Sequence, residues 1–284
     1  MGTRVDIALY APNQRTAERA ATAAYARFAE LEQIMSDYRP ASELMRVCEK
    51  AGGGPVRVSR ELFTVLERAR EVAELSGGAF DITCGPLVRL WREARSTGEL
   101  PSEIAISEAR KLVGWSRVRM DGKARTAEVE TPGMRLDLGG IAKGYACDQA
   151  LTAMRRHGVS RAMVTAGGDI AVSGPPPEKP GWHISIRGHS GPALVVRDRA
   201  VSTSGDAEQF VEIGAKRYSH IVDPRTGIGV TSRIQATVIA RRGLASDPLA
   251  TACCVLGEER SRALLRRYGA RGVFVVADKP SLPR

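Results

Sequence analysis

Five stretches of the chain combine glycine with polar side chains in a way that a packed core does not require. The first is Ser76-Gly77-Gly78-Ala79-Phe80-Asp81-Ile82-Thr83. The second is Asp137-Leu138-Gly139-Gly140-Ile141-Ala142-Lys143-Gly144-Tyr145. The third is Ala166-Gly167-Gly168-Asp169-Ile170. The fourth opens at Ser202-Thr203-Ser204-Gly205-Asp206 and resumes at Ser219-His220-Ile221-Val222-Asp223-Pro224-Arg225-Thr226-Gly227. The fifth is Ser246-Asp247-Pro248-Leu249-Ala250-Thr251.

Each stretch suggests a piece of chemistry and also has an ordinary structural explanation. Gly139-Gly140 ahead of a helix lets backbone N–H groups approach a ligand closely. A helix N-terminus favours an anion, and Lys143 in the first turn adds a positive charge. The pattern is neither the P-loop nor the dinucleotide fingerprint, and taken alone it is better explained as a strand-to-helix turn capped by Asp137. Asp247 and Thr251 stand four apart, so on a helix their oxygens share one face. A carboxylate and a hydroxyl beside a backbone carbonyl suit Mg²⁺. Asp247 as an N-cap with Pro248 at the first helical position is the plainer account. His220, at a strand end before the Asp223–Gly227 turn, is a side-chain type that can act as a general base near neutral pH, although a lone His is more often satisfied by its neighbours. His157, His183 and His189 have only the reading of surface or satisfied histidines.

The elements that must hold these stretches follow from periodicity. Residues 3–10 alternate and read as a strand. Residues 14–35 carry Ala21, Tyr25, Phe28, Leu31 and Met35 at helical spacing, and 60–75 repeat that pattern behind Ser59 as N-cap. Residues 85–115 read as short helices broken at Gly98 and Pro101, 117–136 as a hairpin turning at Asp121-Gly122, and about 141–157 as a helix. Short strands are expected at 161–166, 169–173, 182–187, 193–197, 200–204, 216–222 and 233–240. Helices follow at about 245–256 and 258–268, with a last strand at 272–277. Runs of helix beside runs of strand predict an α+β fold. One compact domain over 1–284 is expected, with room for two lobes, built on a mixed or antiparallel sheet with flanking helices.

Composition narrows the function. Of 284 residues, 42 are Lys or Arg and 32 Asp or Glu, a net charge of +10. Of the basic residues 35 are Arg and 7 Lys, and they are scattered. The densest group, Arg260, Arg262, Arg266, Arg267 and Arg271, falls at helical spacing as a solvated face. No nucleic-acid-binding pattern accompanies it, so the expected partner is a small anion rather than DNA or RNA. No apolar run reaches the roughly 20 residues of a membrane span. The five cysteines form no metal spacing, and Cys147, Cys253 and Cys254 lie in apolar helical contexts that favour inert thiols.

Taken together and in order, the five stretches resemble the FAD:protein FMN transferases, the ApbE or thiamine-biosynthesis-lipoprotein family. Met35-Ser36-Asp37-Tyr38 followed by Ser42-Glu43-Leu44 also matches, as does Phe80-Asp81-Ile82-Thr83 with Gly85-Pro86-Leu87 and Trp91. The resemblance implies a Mg²⁺-dependent enzyme that takes FAD as substrate. Such an enzyme places FMN on a Thr or Ser hydroxyl of an acceptor protein through a phosphoester and releases AMP. Position by position, it implies flavin contacts from Met1, Tyr38, Ala79, Phe80, Asp81, Asp137, Lys143 and Ile221. It implies metal ligation by the Gly140 carbonyl, Asp247, Thr251 and the Ala250 carbonyl. His220 is the implied base, with Asp247 a second candidate, and Asp169, Thr203 and Ser204 are expected to line the same cleft. Two alternatives use the same residues: an FAD pyrophosphatase giving FMN and AMP, and a flavin-binding protein without turnover.

The chain departs from the family pattern in three places: Cys48 where Asn is common, no Tyr near Ala207, and Pro248 where Ala is common. The first two are expected to loosen one wall of the flavin cleft. Members usually work outside the cytoplasmic membrane, and Met1-Gly2-Thr3 coincides with a motif internal to such proteins. An extracytoplasmic location with the export segment absent from this chain is therefore expected, with a short cytoplasmic form as the alternative.

Overall fold

A computed structural model describes residues 2–206, 209–214 and 216–276. Strand β1 (Val5–Tyr10) turns Val5, Ile7 and Leu9 inward on alternate positions. Helix α1 (Gln14–Met35) is capped by Asn13, whose side chain accepts from the Thr16 N–H. Its buried stripe of Ala20, Ala24, Phe28, Leu31 and Met35 advances in steps of three and four. Helix α2 (Glu43–Glu49), strand β2 (Val56–Arg57) and helix α3 (Arg60–Leu75) follow. Ser59 caps α3 by accepting from the Leu62 N–H, as its position predicts. Helices α4 (Gly85–Thr97) and α5 (Glu103–Lys111) are separated at Gly98, which takes the left-handed conformation at φ 75°. Strands β3 (Val118–Asp121) and β4 (Thr126–Val129) form the expected hairpin, and helix α6 (Ala142–Arg156) completes the first half.

The second half supplies most of the sheet. Strands β5 (Arg161–Ala166), β6 (Asp169–Val172), β7 (Trp182–Ile184), β8 (Leu194–Val196) and β9 (Arg199–Ser204) lead to two small hairpins. These are β10 (Phe210–Ile213) with β11 (Lys216–Ser219), and β12 (Val222–Asp223) with β13 (Ile228–Gly229). Strand β14 (Ile234–Ala240), helix α7 (Gly243–Arg267) and strand β15 (Arg271–Val276) follow. Six strands join in the order β1-β5-β6-β9-β14-β15, every neighbouring pair antiparallel. The fold is α+β, with helices α6 and α7 packed on this sheet and α1 packed on α6.

The inward face of the sheet is built of small residues: Ala162, Val164, Ala166, Ala171, Ala200, Ala236 and Val238, all buried. Against them lie Cys147, Leu151 and Met154 of α6 and Leu249 and Cys253 of α7. Small sheet residues let both helices sit close, which brings their N-terminal turns to the ends of β6 and β9. Burial raises the thiols of Cys253, to about 11, and Cys254, to about 12, so both are inert at neutral pH. A second apolar cluster joins Leu87, Trp91 and Ala94 of α4 to Val211, Tyr218 and Val222 of the two hairpins.

The differences from the sequence reading are local. The expected helices 245–256 and 258–268 do part at Gly257, whose φ 76° and ψ 172° are not helical, but the first starts earlier, so that together they span Gly243–Arg267. The expected strand 216–222 is broken at His220 and Ile221, which separate β11 from β12. Helix α2 and strands β2, β10 and β13 are too short to show a period in sequence. Helix α7 begins four residues before Asp247, so Pro248 lies inside it and Asp247 is not its N-cap. Nor does Asp137 cap α6: the N-cap position is Ile141, and the Asp137 carboxylate accepts from the Gly139 N–H at 2.7 Å.

Candidate active site

The N-terminal turns of α6 and α7 meet at two glycines. A Cβ placed on Gly144 would lie 2.2 Å from the Gly243 carbonyl oxygen, so only hydrogen fits there. The capping group of α7 comes from α6. Asp148 accepts from the Gly243 N–H at 2.9 Å and from the Leu244 N–H at 3.0 Å, one on each carboxylate oxygen. This contact sets Asp247, 2% exposed, beside the start of α6, where its Oδ2 accepts from the Gly144 N–H at 3.0 Å. Lys143 Nζ lies 3.7 Å from the same oxygen and 3.2 Å from Oδ2 of Asp169, and donates to the Gly139 carbonyl at 2.6 Å.

Two buried carboxylates thus share one ammonium. Burial pushes the Asp247 carboxyl up, Asp169 adds to the push and Lys143 opposes it, leaving a pKa of about 7. Burial works against the Lys143 charge, but Asp169 and Asp247 more than reverse this and hold it above the usual Lys range.

The sheet brings hydroxyls to the same place. Antiparallel register sets Asp169 opposite Ser202 and Thr203 opposite Thr237. Ser204 Oγ lies 3.3 Å from Thr251 Oγ1, and Ser202 shares a 2.7 Å hydrogen bond with Ser246, so alternate residues of β9 reach α7. Thr203 instead bonds Thr237 Oγ1 at 2.9 Å. A Cβ on Gly140 would sit 2.9 Å from Thr251 Oγ1, which places the Gly139-Gly140 turn directly against the α7 hydroxyl.

A second wall runs past Ala79, Phe80 and Asp81. Asp81 faces the cleft, but its carboxylate braces the chain: Oδ1 accepts from the Thr83 N–H and hydroxyl and Oδ2 from the Trp115 N–H. Burial raises its pKa. Beside it, Arg92 of α4 spans two carboxylates, donating from Nη1 to Asp37 at 2.6 Å and from Nη2 to Asp137 at 2.9 Å. Tyr38, 66% exposed, lies with its ring 4.5 Å from the Arg92 guanidinium carbon. Ile221 is buried and also lines the cleft, with its N–H donated to Ser219 Oγ at 3.0 Å.

His220 is held by the hairpins that pack on α4. Trp91 stacks on Tyr218 with ring centroids 5.0 Å apart and donates its indole N–H to the Gly227 carbonyl at 2.9 Å. His220 Nδ1 lies 3.0 Å from the Gln209 carbonyl. A carbonyl only accepts, so the contact selects the Nδ1–H tautomer and leaves Nε2 with its lone pair. Burial lowers the His220 pKa, which favours the neutral imidazole.

These residues line one cleft of about 1050 Å³. It gathers Tyr38, Ala79, Phe80, Asp81, Asp137 and Gly140 with Lys143, Asp169, Thr203 and Ser204, and it also takes in His220, Ile221, Asp247 and Thr251. Met1 lies outside the described residues, as does Ala207. Ala250 is fully buried beneath the cleft.

Comparison with known proteins decides the family. The model of the ApbE family matches residues 1–274. The chain belongs to the ApbE family. A relative from Treponema pallidum, named FAD:protein FMN transferase, is 37% identical over 269 residues, covering 87% of this chain and 74% of the relative. One of the same name from Vibrio cholerae is 34% identical over 245 residues, covering 83% and 72%. Among solved structures, the flavin transferase ApbE of Vibrio cholerae superposes with a TM-score of 0.86 at 31% identity, covering 97% of this chain and 91% of that one. The ApbE protein of Thermotoga maritima gives 0.85 at 31% identity, covering 96% and 91%.

Within this ApbE chain the donor set suits a hard cation. Asp247 and Thr251 present a carboxylate and a hydroxyl one helical turn apart, and the Gly140 backbone abuts Thr251. Asp169 and Asp247 carry more negative charge than Lys143 balances. Among the described residues no three His, Cys, Asp or Glu side chains converge as a metal cluster. A cation here would therefore draw on hydroxyl and carbonyl oxygens, as Mg²⁺ does.

The ApbE wall also corrects the reading of Cys48. Its side chain is buried away from the cleft, where Sγ accepts from the Leu136 N–H at 3.3 Å. Arg92, Arg95 and Gln209 also line the cleft, and none of them belongs to a sequence motif. Each acts through a partner more than 50 residues away in sequence, a relationship no local motif carries.

Proposed function

We propose that this enzyme transfers FMN from FAD to a Thr or Ser hydroxyl of an acceptor protein, with Mg²⁺ bound, and releases AMP. The observation that carries the reading is the meeting of Lys143, Asp169, Asp247, Thr251 and His220 in one cleft of a chain of the ApbE family. Phosphoryl transfer asks for positioning and charge neutralisation more than covalent help, and these residue types supply both. The acceptor oxygen bonds to the FMN phosphorus, the bond from that phosphorus to the bridging pyrophosphate oxygen breaks, and AMP departs with the bridging oxygen. Neutral His220 takes the hydroxyl proton on Nε2, its tautomer fixed by the Gln209 carbonyl. Lys143, which lines the cleft, faces the charge that develops on the phosphate oxygens. Asp247, Thr251 and the backbone carbonyls of Gly140 and Ala250 would hold Mg²⁺, which supplies Lewis-acid neutralisation and a template for the pyrophosphate.

The flavin end belongs to the wall of Tyr38, Ala79, Phe80, Asp81, Asp137 and Ile221. The test is product analysis with FAD, Mg²⁺ and an acceptor domain carrying a target Thr. AMP should form in step with flavin on the acceptor. FMN and AMP formed at the same rate without acceptor would assign hydrolysis instead, and bound FAD without products a binding protein.

A further inference from the structure

We propose that Arg92 is the positioning residue for the flavin end of the cleft, holding Tyr38 by one ring face so that the other face serves as a platform for the isoalloxazine. The proposal rests on the FAD reading above and adds a residue that neither the motifs nor the family comparison singles out.

Tyr38 sits in the segment between α1 and α2, which is neither helix nor strand. A side chain there is 66% exposed yet lines the cleft. An exposed ring on a loop is a poor platform unless something fixes it, because ordering the loop on binding costs conformational entropy. Arg92 supplies the fixing. Its Nη1 grips Asp37, the residue before Tyr38, at 2.6 Å, and its guanidinium carbon lies 4.5 Å from the Tyr38 ring centroid. Its Nη2 grips Asp137 at 2.9 Å, which ties the loop to the turn that opens α6. Asp137 in turn orders Gly139 through its other oxygen. One planar group thus joins the loop of the flavin platform to the turn that faces the phosphates.

Only a planar fork can do this. Arg presents donors to two carboxylates while its face stacks on an aromatic ring, whereas Lys offers a point charge that serves one carboxylate and stacks poorly. Arg92 also separates charges. Burial raises the Asp137 carboxyl, Asp37 raises it further, and Arg92 opposes both. Its own residue in α4 is anchored by the neighbouring Trp91, buried in the second apolar cluster.

The test compares Arg92→Lys with the unsubstituted chain and with Tyr38→Ala. R92K keeps the positive charge and should fold, so thermal midpoints within a few degrees are expected. For R92K the KM for FAD should rise roughly tenfold, in line with the loss of one stacking contact and one ion pair. The kcat should stay within about threefold, since the hydrogen-bond partners of Arg92 are Asp37 and Asp137 rather than Lys143, Asp247, Thr251 or His220. The induced visible circular dichroism of bound FAD should fall. The R92K/Y38A double variant should lose little beyond Y38A alone, because both act through one platform. Unchanged KM and circular dichroism in R92K would overturn the proposal, as would fully additive losses in the double variant. A fall in kcat with KM constant would also overturn it. Failure of the unsubstituted protein to bind FAD at all would overturn the flavin reading itself and this proposal with it.

Discussion

Gly144 and Gly243 face each other backbone to backbone, so close that a Cβ on either would lie within 2.2 Å of the other's carbonyl oxygen. This crossing sets the distance between the helix that carries Lys143 and the helix that carries Asp247. Gly144→Ala should therefore damage the site as well as the fold. The overpacked helices must part, at a cost of about 1–3 kcal/mol. Turnover should fall by more than the loss of folded protein explains. Denaturant midpoints measured beside the specific activity of the folded fraction check this, and wild-type activity in Gly144→Ala would contradict it.

Asp148 closes the same junction from beneath, with both oxygens satisfying N–H groups at the start of α7. Asp148→Ala strands two N–H groups where water has little access. The expected loss is about 2–6 kcal/mol, at roughly 1–3 for each buried unsatisfied donor. Asp148→Asn keeps one acceptor oxygen and should lose less. Urea unfolding of the two variants ranks them, and equal stability would contradict the capping role.

His220 gives the pH dependence its sign. Only the neutral imidazole accepts a proton, and burial lowers its pKa by disfavouring the charged form. The rate at saturating FAD and saturating Mg²⁺, which would keep Asp247 ionised, should hence be flat near neutrality and fall on the acid side, with a midpoint below the ordinary His value of about 6.5. The acid limb should vanish in His220→Ala, along with most of the rate. An acid limb centred above about 6.5, or one that survives the substitution, would remove His220 from the base role.

Mg²⁺ should stabilise the folded chain through Asp247 and Thr251, since a ligand that binds only the native state raises the melting temperature. Asp247→Asn should abolish that rise, and Thr251→Val should reduce it. Melting curves with Mg²⁺ and with a chelator provide the comparison. The same Mg²⁺ shift in Asp247→Asn would place the metal elsewhere.

The sequence was most legible where one element carries its own signal. Ser59 and the apolar stripe after it mark α3 (Arg60–Leu75) to the residue, and the glycine–polar stretches name most of one cleft. It was least legible where partners come from afar. Asp247 followed by Pro248 has the local form of a helix start, yet the helix starts at Gly243 because a carboxylate 95 positions earlier caps it. Arg92 belongs to no motif, and its meaning lies in Asp37 and Asp137, 55 and 45 positions away. Such contacts are set by how helices pack, which a single local period does not encode.

Covalent attachment of FMN to an acceptor hydroxyl is what separates the proposed transferase from a hydrolase or a binding protein. The most direct measurement is the intact mass of a denatured acceptor domain after incubation with the enzyme, FAD and Mg²⁺. The expected gain equals FMN less one water, absent when the acceptor Thr is replaced by Ala and absent with Asp247→Ala enzyme. An acceptor of unchanged mass alongside full conversion of FAD to FMN and AMP would contradict it.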